Sequence, residues 1–495
     1  MMELTWEQQE EFTNQTHCYL CKKIINIPVR DHDHFTGQYL GAACQDCNLA
    51  RRINPSLPVV FHNLRGYDIH HILKYAIGKF PDWNLNVIPQ STEKFLTLTA
   101  TSKGRRIRFI DSLQFLNSSL ANLSKNLPCL PLTSDVFESQ MMTCKTIFPY
   151  DMATSMDVLQ SITELPPIWE GVSQEDYIHA NRIWQQYNCE TLLDYMLVYL
   201  KLDVFLLADV FEAFREKTFD EDGLEALSFV SIPGLSWASA IKQLPEPVEL
   251  IQDPELYRLF EAGIRGGMTF INKHHVEADE STQMSYLDVN NLYGWALSQK
   301  LPVGEFRWIN DQTEMNGIVE RCANGDEFDG DRGYVLEVDI VIPDSIQDKL
   351  DDLPIAPELC YPPGSKVEKL LLTHEPKKNY VVNGRVLTEW LSYGAKVTKV
   401  NRAVEFKQVA IFKGYIDYNT KMRAASTDSF QRDYYKLKNN SLYGKTVENL
   451  KKRINLRLCS KSKRLITYCS NPMFRRSIKI ADDLIVLYLI RKLCV

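Results

Sequence analysis

Four cysteines near the N-terminus constrain the fold of this 495-residue chain more than any other feature of its sequence. Cys18 and Cys21 form one Cys-x2-Cys pair, and Cys44 and Cys47 form a second. Four thiolates at this spacing suit a single tetrahedral zinc ion, which would hold the intervening residues in a compact unit. A redox Cys-x2-Cys motif and unrelated free thiols are the alternatives, but neither accounts for the second pair. The sequence therefore predicts a structural zinc site.

The composition sets broad limits on the class of protein. With 45% hydrophobic and 11% aromatic residues, the chain is typical of a globular protein of about two to four domains. Apolar runs fall short of the ~20 residues of a membrane span, and the N-terminus lacks a basic-then-apolar signal pattern. We therefore expect an intracellular protein without a membrane partner, in either the nucleus or the cytoplasm. Twelve cysteines in this length are too few for a disulfide scaffold.

The formal net charge of −7 conceals a strong asymmetry along the chain. Residues 401–495 contain 21 Lys and Arg against 7 Asp and Glu, a surplus of 14 positive charges. The chain totals of 56 and 63 leave 35 basic and 56 acidic residues for the first 400 positions. A basic C-terminal fifth with interleaved aromatic residues suits a nucleic-acid surface. An ordinary solvated surface has the same composition, so charge alone does not decide between them.

A short stretch inside this basic region carries a chemically specific pattern. Residues 435–445 read YKLKNNSLYGK. On a helix Lys436, Asn440 and Tyr443 share one face, because residues three and four apart are neighbours. A lysine, an amide and an aromatic ring suit the phosphates, the polar groups and the base or sugar of a nucleoside triphosphate.

A second stretch places a carboxylate after an apolar run. Residues 284–287 read MSYL and predict a strand, and Asp288 follows in DVNNLYGWAL. An aspartate at a strand end suits a metal ligand, and Tyr293 lies five residues further on. An ordinary strand-end aspartate and a core tyrosine are the alternatives for these two residues taken singly.

Together these stretches resemble motifs B and A of family-B DNA polymerases, KxxxNSxYG and DxxxLYP, and are most similar to the protein-primed branch of bacteriophages, linear plasmids and Polinton-type elements. The resemblance implies that Asp288 and the Val289 carbonyl hold Mg²⁺ in a two-metal site. It also implies that the Tyr293 ring excludes a 2′-hydroxyl, and that a DNA template-primer, dNTPs and a terminal priming protein are the partners. The implied nucleotide ligands are Tyr293, Lys436, Asn440, Tyr443 and Gly444.

Two further motifs resemble those of family-B proofreading exonucleases. Asn63, Tyr67 and Asp68 follow the apolar residues 59–61 and resemble the Exo II motif. Tyr199 and Asp203, four residues apart in a strongly helical pattern, resemble Exo III. The resemblance implies an RNase H-like domain in which Asp68 and Asp203 hold two metal ions and Tyr199 orients the attacking water.

The residues around the cysteine pairs resemble the recombination endonuclease VII group of ββα-metal nucleases. Asp31, His32, Asp33 and His34 lie between the pairs, and Asn48 follows the second. The resemblance implies a treble-clef zinc module in which Asp31 and Asn48 hold a catalytic metal and His32 or His34 activates water. A zinc-stapled DNA-binding module is the alternative. A structure-specific endonuclease and a non-catalytic nucleic-acid-binding remnant are thus further candidate functions.

The resemblances give an α/β and α+β multidomain protein. Residues 1–55 are assigned to the zinc module, 56–225 to the exonuclease-like domain and 226–495 to the palm and fingers of a polymerase. Residues from about 310 to 383 are acidic and loop-rich. They occupy the place of an insertion that contacts the terminal protein in protein-primed polymerases, although an irregular surface loop has a similar composition.

Three elements of the family pattern have no match in this sequence. Exo I requires an Asp-x-Glu on an apolar strand before Asn63, and motif C requires Tyr-x-Asp-Thr-Asp-Ser after Lys445. Asp482 and Asp483 open an apolar run, for which we expect no hairpin, so they are not assigned to motif C. No thumb region follows. We therefore expect a polymerase truncated at both ends, with weak or no primer extension of its own.

Overall fold

The chain folds into two compact units, the first formed by residues 1–110 and 456–489 and the second by residues 111–455 and 490–495. The computed structural model describes residues 4–32, 38–50, 56–79, 83–91, 94–103, 105–137, 144–265, 271, 273–459, 462–481 and 484–490. Its helices are α1 (Trp6–Asn14), α2 (Gln45–Ala50), α3 (Asp68–Lys79), α4 (Leu120–Lys125), α5 (Pro131–Val136), α6 (Met156–Ser161), α7 (Gln174–Gln186), α8 (Leu192–Asp222), α9 (Ile232–Lys242), α10 (Pro254–Gly263), α11 (Leu292–Leu297), α12 (Gln312–Ala323), α13 (Asp344–Leu350), α14 (Gly384–Ser392), α15 (Lys413–Ala425), α16 (Ser429–Thr446) and α17 (Ser462–Cys469). Its strands are β1 (Val29–His32), β2 (Tyr39–Ala43), β3 (Ser56–Phe61), β4 (Asn84–Pro89), β5 (Phe95–Ser102), β6 (Arg105–Asp111), β7 (Leu301–Ile309), β8 (Arg332–Val341), β9 (Glu358–Cys360), β10 (Lys369–Leu371), β11 (Lys377–Asn383), β12 (Lys396–Val409), β13 (Asn455–Cys459), β14 (Phe474–Ala481) and β15 (Leu484–Leu489).

The first unit begins with the cysteine-rich residues. A tight turn follows Cys18, in which the backbone N–H of Cys18 donates to the carbonyl of Lys23 at 2.8 Å. Strands β1 and β2 then pair antiparallel, with Val29 opposite Ala43, and α2 follows directly. The order is therefore turn, hairpin and helix, with one cysteine pair in the turn and the other at the start of the helix.

The rest of the first unit contains two sheets, with strand orders β3-β6-β5-β4 and β13-β15-β14. The alternating apolar residues of 95–99 and 107–110, on either side of Ser-Lys-Gly at 102–104, predict a β-hairpin. Strands β5 and β6 form it, with Ser102 opposite Arg105. Strands β14 and β15 also pair antiparallel, with Ala481 opposite Leu484. The expectation that no hairpin occurs at this point was wrong, because the apolar run after residue 483 is long enough to pair with β14. Asp482 and Asp483 themselves lie outside the described residues.

The second unit is organised along α8, a helix of 31 residues. Thr191 and Asp194 cap its N-terminus reciprocally, which satisfies backbone donors that the first turn leaves without partners. Gly223, with φ 60°, ends it in the left-handed conformation that favours glycine. Although α8 is long, neither it nor any other helix in the described ranges has an apolar stretch suited to cross a membrane.

Residues 301–409 form a four-stranded antiparallel sheet of order β11-β8-β12-β7. Alternate residues of β8 fill two cores. Leu336 and Val338 pack in one core with Leu387 of α14, whereas Val335 packs in the other with Leu259 of α10. The apolar run YVLEVDIVI at 334–342 predicts a strand within the segment 310–383, and β8 confirms it. The rest of the segment is less loop-rich than expected, because α12, α13 and β11 also lie in it.

Candidate active site

Helix α16 presents the predicted nucleotide ligands on the face that its packing leaves accessible. Asp428 caps the N-terminus of the helix, because its carboxylate accepts a hydrogen bond of 2.7 Å from the backbone N–H of Gln431. Tyr434, Lys438 and Leu442 are buried on the opposite face. Because these positions are four residues apart, they form one inward stripe. The intervening positions 436, 440 and 443 consequently point away from it.

Lys436 and Asn440 lie on α16 as the spacing predicts. The lysine side chain is exposed, and the asparagine is half-buried. Both line a cavity of about 250 Å³, together with Phe430 and Asp433 of the same helix and residues 115–118 from the other side. A lysine and a side-chain amide at the rim of an open cavity suit an anionic ligand with polar groups.

Tyr293 and Tyr443 are in direct contact. Their ring centres are 4.2 Å apart and the ring planes differ by 17°, so the two rings are stacked. Tyr293 belongs to the short helix α11, which packs on α16 because Leu297 and Leu442 share one buried cluster. The structure thus brings together the tyrosines of the two stretches that sequence analysis singled out.

Asp288 and Val289 are exposed and lie in a segment without regular secondary structure. The strand predicted for residues 284–287 was wrong. Tyr286 is 99% exposed and Leu287 88% exposed, so this segment buries little apolar surface. A strand also needs a neighbour to satisfy its backbone groups, and none of the described strands pairs with these residues. Asp288 lies five residues before Tyr293, and its assignment as a metal ligand remains a prediction.

Tyr199 and Asp203 lie one turn apart on α8, as predicted. Lys145 donates a hydrogen bond of 2.8 Å to one carboxylate oxygen of Asp203, and Tyr150 shares a hydrogen bond of 2.6 Å with the Tyr199 hydroxyl. Burial, and then the contact with Tyr150, raises the pKa of Tyr199 well above its usual value. The Oδ1 atom of Asp203 is buried and has no hydrogen-bond partner among the described residues. A metal ion or water would satisfy it.

Asp68, the other predicted exonuclease ligand, begins helix α3 in the first unit. Asn63, from the same motif, has a left-handed backbone with φ 69°. Asp203 belongs to the second unit. A site shared by Asp68 and Asp203 therefore remains a prediction.

The four predicted zinc ligands converge. The Sγ atoms of Cys18, Cys21, Cys44 and Cys47 all lie within 4.8 Å of one another. The Cys21 and Cys44 sulfurs are 3.9 Å apart, close to the roughly 3.8 Å that a tetrahedral ion with Zn–S bonds of about 2.3 Å requires. Among the described residues, no other group of three or more His, Cys, Asp or Glu side chains comes this close.

The thiols of the cluster differ in how readily they ionise. Burial raises the pKa of the Cys18 thiol, but hydrogen bonds from backbone N–H groups, that of Cys21 first, lower it by more, so that it falls from 9.0 to about 6. The Cys18 thiolate, the form that binds zinc, is therefore favoured at neutral pH. Hydrogen bonds with Cys44 and then Cys21 raise the pKa of Cys47 to about 12. The donor set and its spacing fit one structural zinc ion.

The predicted nuclease residues lie beside this cluster. Asp31 is buried on β1, and its carboxylate accepts a hydrogen bond of 2.6 Å from the Tyr19 hydroxyl. His32 is the last residue of β1, and Asn48 lies half-buried on α2. His34 lies outside the described residues. Nothing in this arrangement favours nuclease chemistry over a structural role, and the assignment remains a prediction.

Sequence analysis missed two lysines, one that contacts a candidate residue and one on the helix that carries the predicted nucleotide ligands. Lys145 contacts Asp203, which lies 58 positions away in the chain, so no local sequence pattern predicts that contact. Lys438 is 0% exposed on α16 and forms an ion pair with Asp222. The sequence did carry a signal for this ion pair, because a lysine on the same buried helix face as Tyr434 and Leu442 needs a buried partner for its charge.

Solved structures of Phi29 DNA polymerase are similar to this chain. For its ternary complex with primer-template DNA and incoming nucleotide substrates, the TM-score is 0.50 at 15% identity, covering 86% of this chain and 65% of the Phi29 chain. For the post-translocation binary complex with primer-template DNA, the TM-score is 0.46 at 15% identity, covering 87% and 65%. The first similarity shows a shared fold. The present chain spans 65% of the length of that Phi29 polymerase.

Comparison with protein families gives the assignment. No curated protein sequence matches the chain. The family model described as DNA polymerase type B, organellar and viral, matches residues 50–463. This match includes α8, α11 and α16, and thus both stretches that carry the stacked tyrosines. The chain belongs to the organellar and viral family of type B DNA polymerases.

Proposed function

We propose that this chain takes part in template-directed DNA synthesis. In that reaction the 3′-oxygen of a primer bonds to the α-phosphorus of a dNTP, and the bond to the leaving pyrophosphate breaks. The stack of Tyr293 on Tyr443 is the observation that supports the proposal most strongly. It joins two segments that are distant in the sequence into one aromatic surface, and aromatic faces bind bases and sugars. Membership of the polymerase family supports the same reaction.

The triphosphate end of the nucleotide is assigned to α16 and to the segment before α11. Lys436 offers an exposed cation to the phosphates, Asn440 an amide, and Gly444 an accessible backbone near Tyr443. Mg²⁺ is commonly held by one or two carboxylates together with substrate phosphates. The exposed carboxylate of Asp288, with the Val289 carbonyl beside it, fits such an ion. Bound magnesium would orient the phosphates and offset the charge on the attacking and leaving oxygens.

A test that does not depend on turnover is formation of the ternary complex. On a primer that ends in a dideoxynucleotide, the chain with Mg²⁺ should retain only the dNTP complementary to the next template base. Gel-shift or filter-binding assays with each of four templates and each labelled dNTP measure this selectivity. Equal retention of all four dNTPs on every template would contradict template-directed synthesis.

We assign to Tyr293 the role of discriminating against ribonucleotides. Its ring is half-exposed at the edge of the stack, where a 2′-hydroxyl would clash with it. In the ternary-complex assay we expect wild type to favour dATP over ATP, and Tyr293→Val to reduce this preference on the order of tenfold by relieving the clash. Tyr393→Val, at an exposed tyrosine after α14, is the matched control. An unchanged preference in Tyr293→Val would refute the assignment.

The N-terminal half of α8 is assigned to 3′–5′ exonuclease chemistry. The unpartnered Oδ1 atom of Asp203 supports a metal ion or water beside that carboxylate, and Tyr199 lies one turn away. Asp68 is assigned as a further metal ligand from the motif resemblance alone. Lys145 would hold Asp203 in place through its hydrogen bond of 2.8 Å.

The remaining partners follow from the protein-primed branch that the motifs resemble. A terminal priming protein is assigned to residues from about 310 to 383, which correspond by resemblance to the insertion of that branch. The β9–β10 arm of this segment exposes Leu359, Tyr361 and Val367, as an interaction surface requires. A Polinton-type or viral element is the proposed genetic context, and the cysteine cluster is assigned a structural zinc ion.

A further inference from the structure

Lys438 is a buried cation on the inner face of α16. Its residue exposure is 0%, and its Nζ atom lies 2.9 and 3.1 Å from the two carboxylate oxygens of Asp222, the last residue of α8. The rings of Tyr434 and Tyr415 lie 5.2 and 5.5 Å from the same nitrogen. The carboxylate of Asp222 therefore holds the charge at short range, with Glu221 Oε2 at 3.9 Å and the two aromatic faces beside it, in a region closed to solvent.

Asp222 is itself fixed from another direction. The hydroxyl of Ser239, on α9, donates a hydrogen bond of 2.7 Å to its Oδ1 atom. The neighbouring Glu221 accepts a hydrogen bond from the hydroxyl of Tyr435 and an ion pair of 3.0 Å from Lys217. Contacts from α16 thus converge on the two acidic residues at the end of α8. A serine of α9 and a lysine of α8 fix the side chains of these two residues.

A buried ion pair tolerates little movement of the helix that carries it. If α16 rotated or slid so that Lys438 left Asp222, two uncompensated charges would remain buried, which costs far more than the loss of an apolar contact. Lys436 and Asn440 each lie two residues from Lys438, or about 200° around the helix. A rotation that moves Lys438 away from Asp222 therefore turns Lys436 and Asn440 by the same angle.

We propose that the Lys438–Asp222 ion pair is a positioning device for the nucleotide site, and that it sets the rotation of α16 so that Lys436 and Asn440 face the triphosphate. This inference rests on the proposed function. Lys438 contacts no substrate in this account and acts only through the helix. The polymerase motif KxxxNSxYG leaves this position unspecified, so the device belongs to this chain and not to the motif.

The alternative is that the pair only stabilises the fold, and a double substitution separates the two roles. Replacing a buried ion pair with apolar side chains of similar size is often neutral or stabilising, but it removes the directional contact. Lys438→Met leaves Asp222 without its cation and destabilises the protein. Lys438→Met combined with Asp222→Leu should recover thermal stability without restoring the rotation of α16.

The chain offers a matched control in the four-stranded sheet. Lys377 on β11 is also 0% exposed and forms an ion pair of 3.2 Å with Glu358. It also donates a hydrogen bond of 2.7 Å to Thr373. Lys377→Met removes a buried cation of the same kind from a domain to which no nucleotide ligand is assigned.

The experiment measures the Kd of Mg²⁺·dATP and the melting temperature of the full chain. Lys438→Met and the double variant should each raise the Kd on the order of tenfold or more, since small misplacements of binding groups are costly. Lys377→Met should lower the melting temperature without changing the Kd. Lys438→Arg, which keeps the charge, should bind more tightly than Lys438→Met.

The possible outcomes distinguish failure of the positioning role from failure of the proposed nucleotide site. If wild type binds no Mg²⁺·dATP, the proposed nucleotide site is wrong. If wild type binds and the double variant recovers both stability and wild-type Kd, the pair is only structural and the positioning role is overturned. Weak binding by a double variant with wild-type stability supports the role.

Discussion

Removing zinc from the cysteine cluster is expected to unfold the residues around it while leaving the second unit folded. Among the described residues between 16 and 50 the buried apolar side chains are few, chiefly Tyr39, Ala42 and Ala43 together with Cys18. A core of this size does not hold a domain without a metal or a disulfide. In small zinc domains, the binding free energy of roughly 10–16 kcal/mol is in effect the folding free energy.

Zinc content and limited proteolysis measure this result. Wild type should contain one zinc per chain, and a chelator should expose the backbone near the four cysteines to protease. Cys44→Ser should lose the metal and show the same cleavage, whereas Cys129→Ser, at an exposed cysteine outside the cluster, should show neither. An unchanged zinc content in Cys44→Ser would refute the zinc site.

Nucleotide binding is expected to weaken strongly when the charged side chain of either Lys436 or Asp288 is removed from the proposed triphosphate site. Lys436→Ala deletes a charge-assisted contact worth about 1.5–3 kcal/mol, which is roughly a 10- to 150-fold rise in the Kd of Mg²⁺·dATP. Asp288→Asn should reduce the dependence of binding on Mg²⁺, because the amide lacks the carboxylate charge. Since both residues act on one magnesium-bound triphosphate, the double variant should lose less than the sum of the single losses.

Matched controls are present in the same segments. Asp279→Asn changes an aspartate of the irregular stretch before Asp288, whose carboxylate accepts a hydrogen bond of 2.7 Å from the Ser281 hydroxyl. Lys413→Ala changes an exposed lysine on α15 that pairs with Asp417. Both variants should bind Mg²⁺·dATP as wild type does. Additive losses in the Asp288 and Lys436 double variant would indicate two independent sites.

The parts of the site that sequence analysis predicted are those that local spacing determines. Lys436, Asn440 and Tyr443 share a helix face because a helix fixes the geometry of residues three and four apart. The two cysteines of each pair lie close together because they are three residues apart, a spacing that suits two ligands of one zinc ion. The β5–β6 hairpin likewise joins strands that are adjacent in the chain.

The parts that sequence analysis missed depend on contacts across long separations. Asp222 lies 216 positions from Lys438, and the sequence near either residue does not indicate which residue it pairs with. The segment 284–287 has the composition of a strand, but a strand forms only against a neighbour, and composition does not supply one. The neighbours of β8 in its sheet, β11 and β12, were missed for a related reason, because pairing between separate segments leaves no local signal in the sequence.

Asp288 and Lys436 are proposed to serve one magnesium-bound triphosphate. Replacing Mg²⁺ with Fe²⁺ in the presence of dATP and ascorbate tests this placement, because hydroxyl radicals then cut the backbone beside the bound metal. We predict dATP-dependent cuts near residues 288 and 436, both abolished by Lys436→Ala. Cuts at only one of these positions, or cuts that persist in Lys436→Ala, would contradict the account.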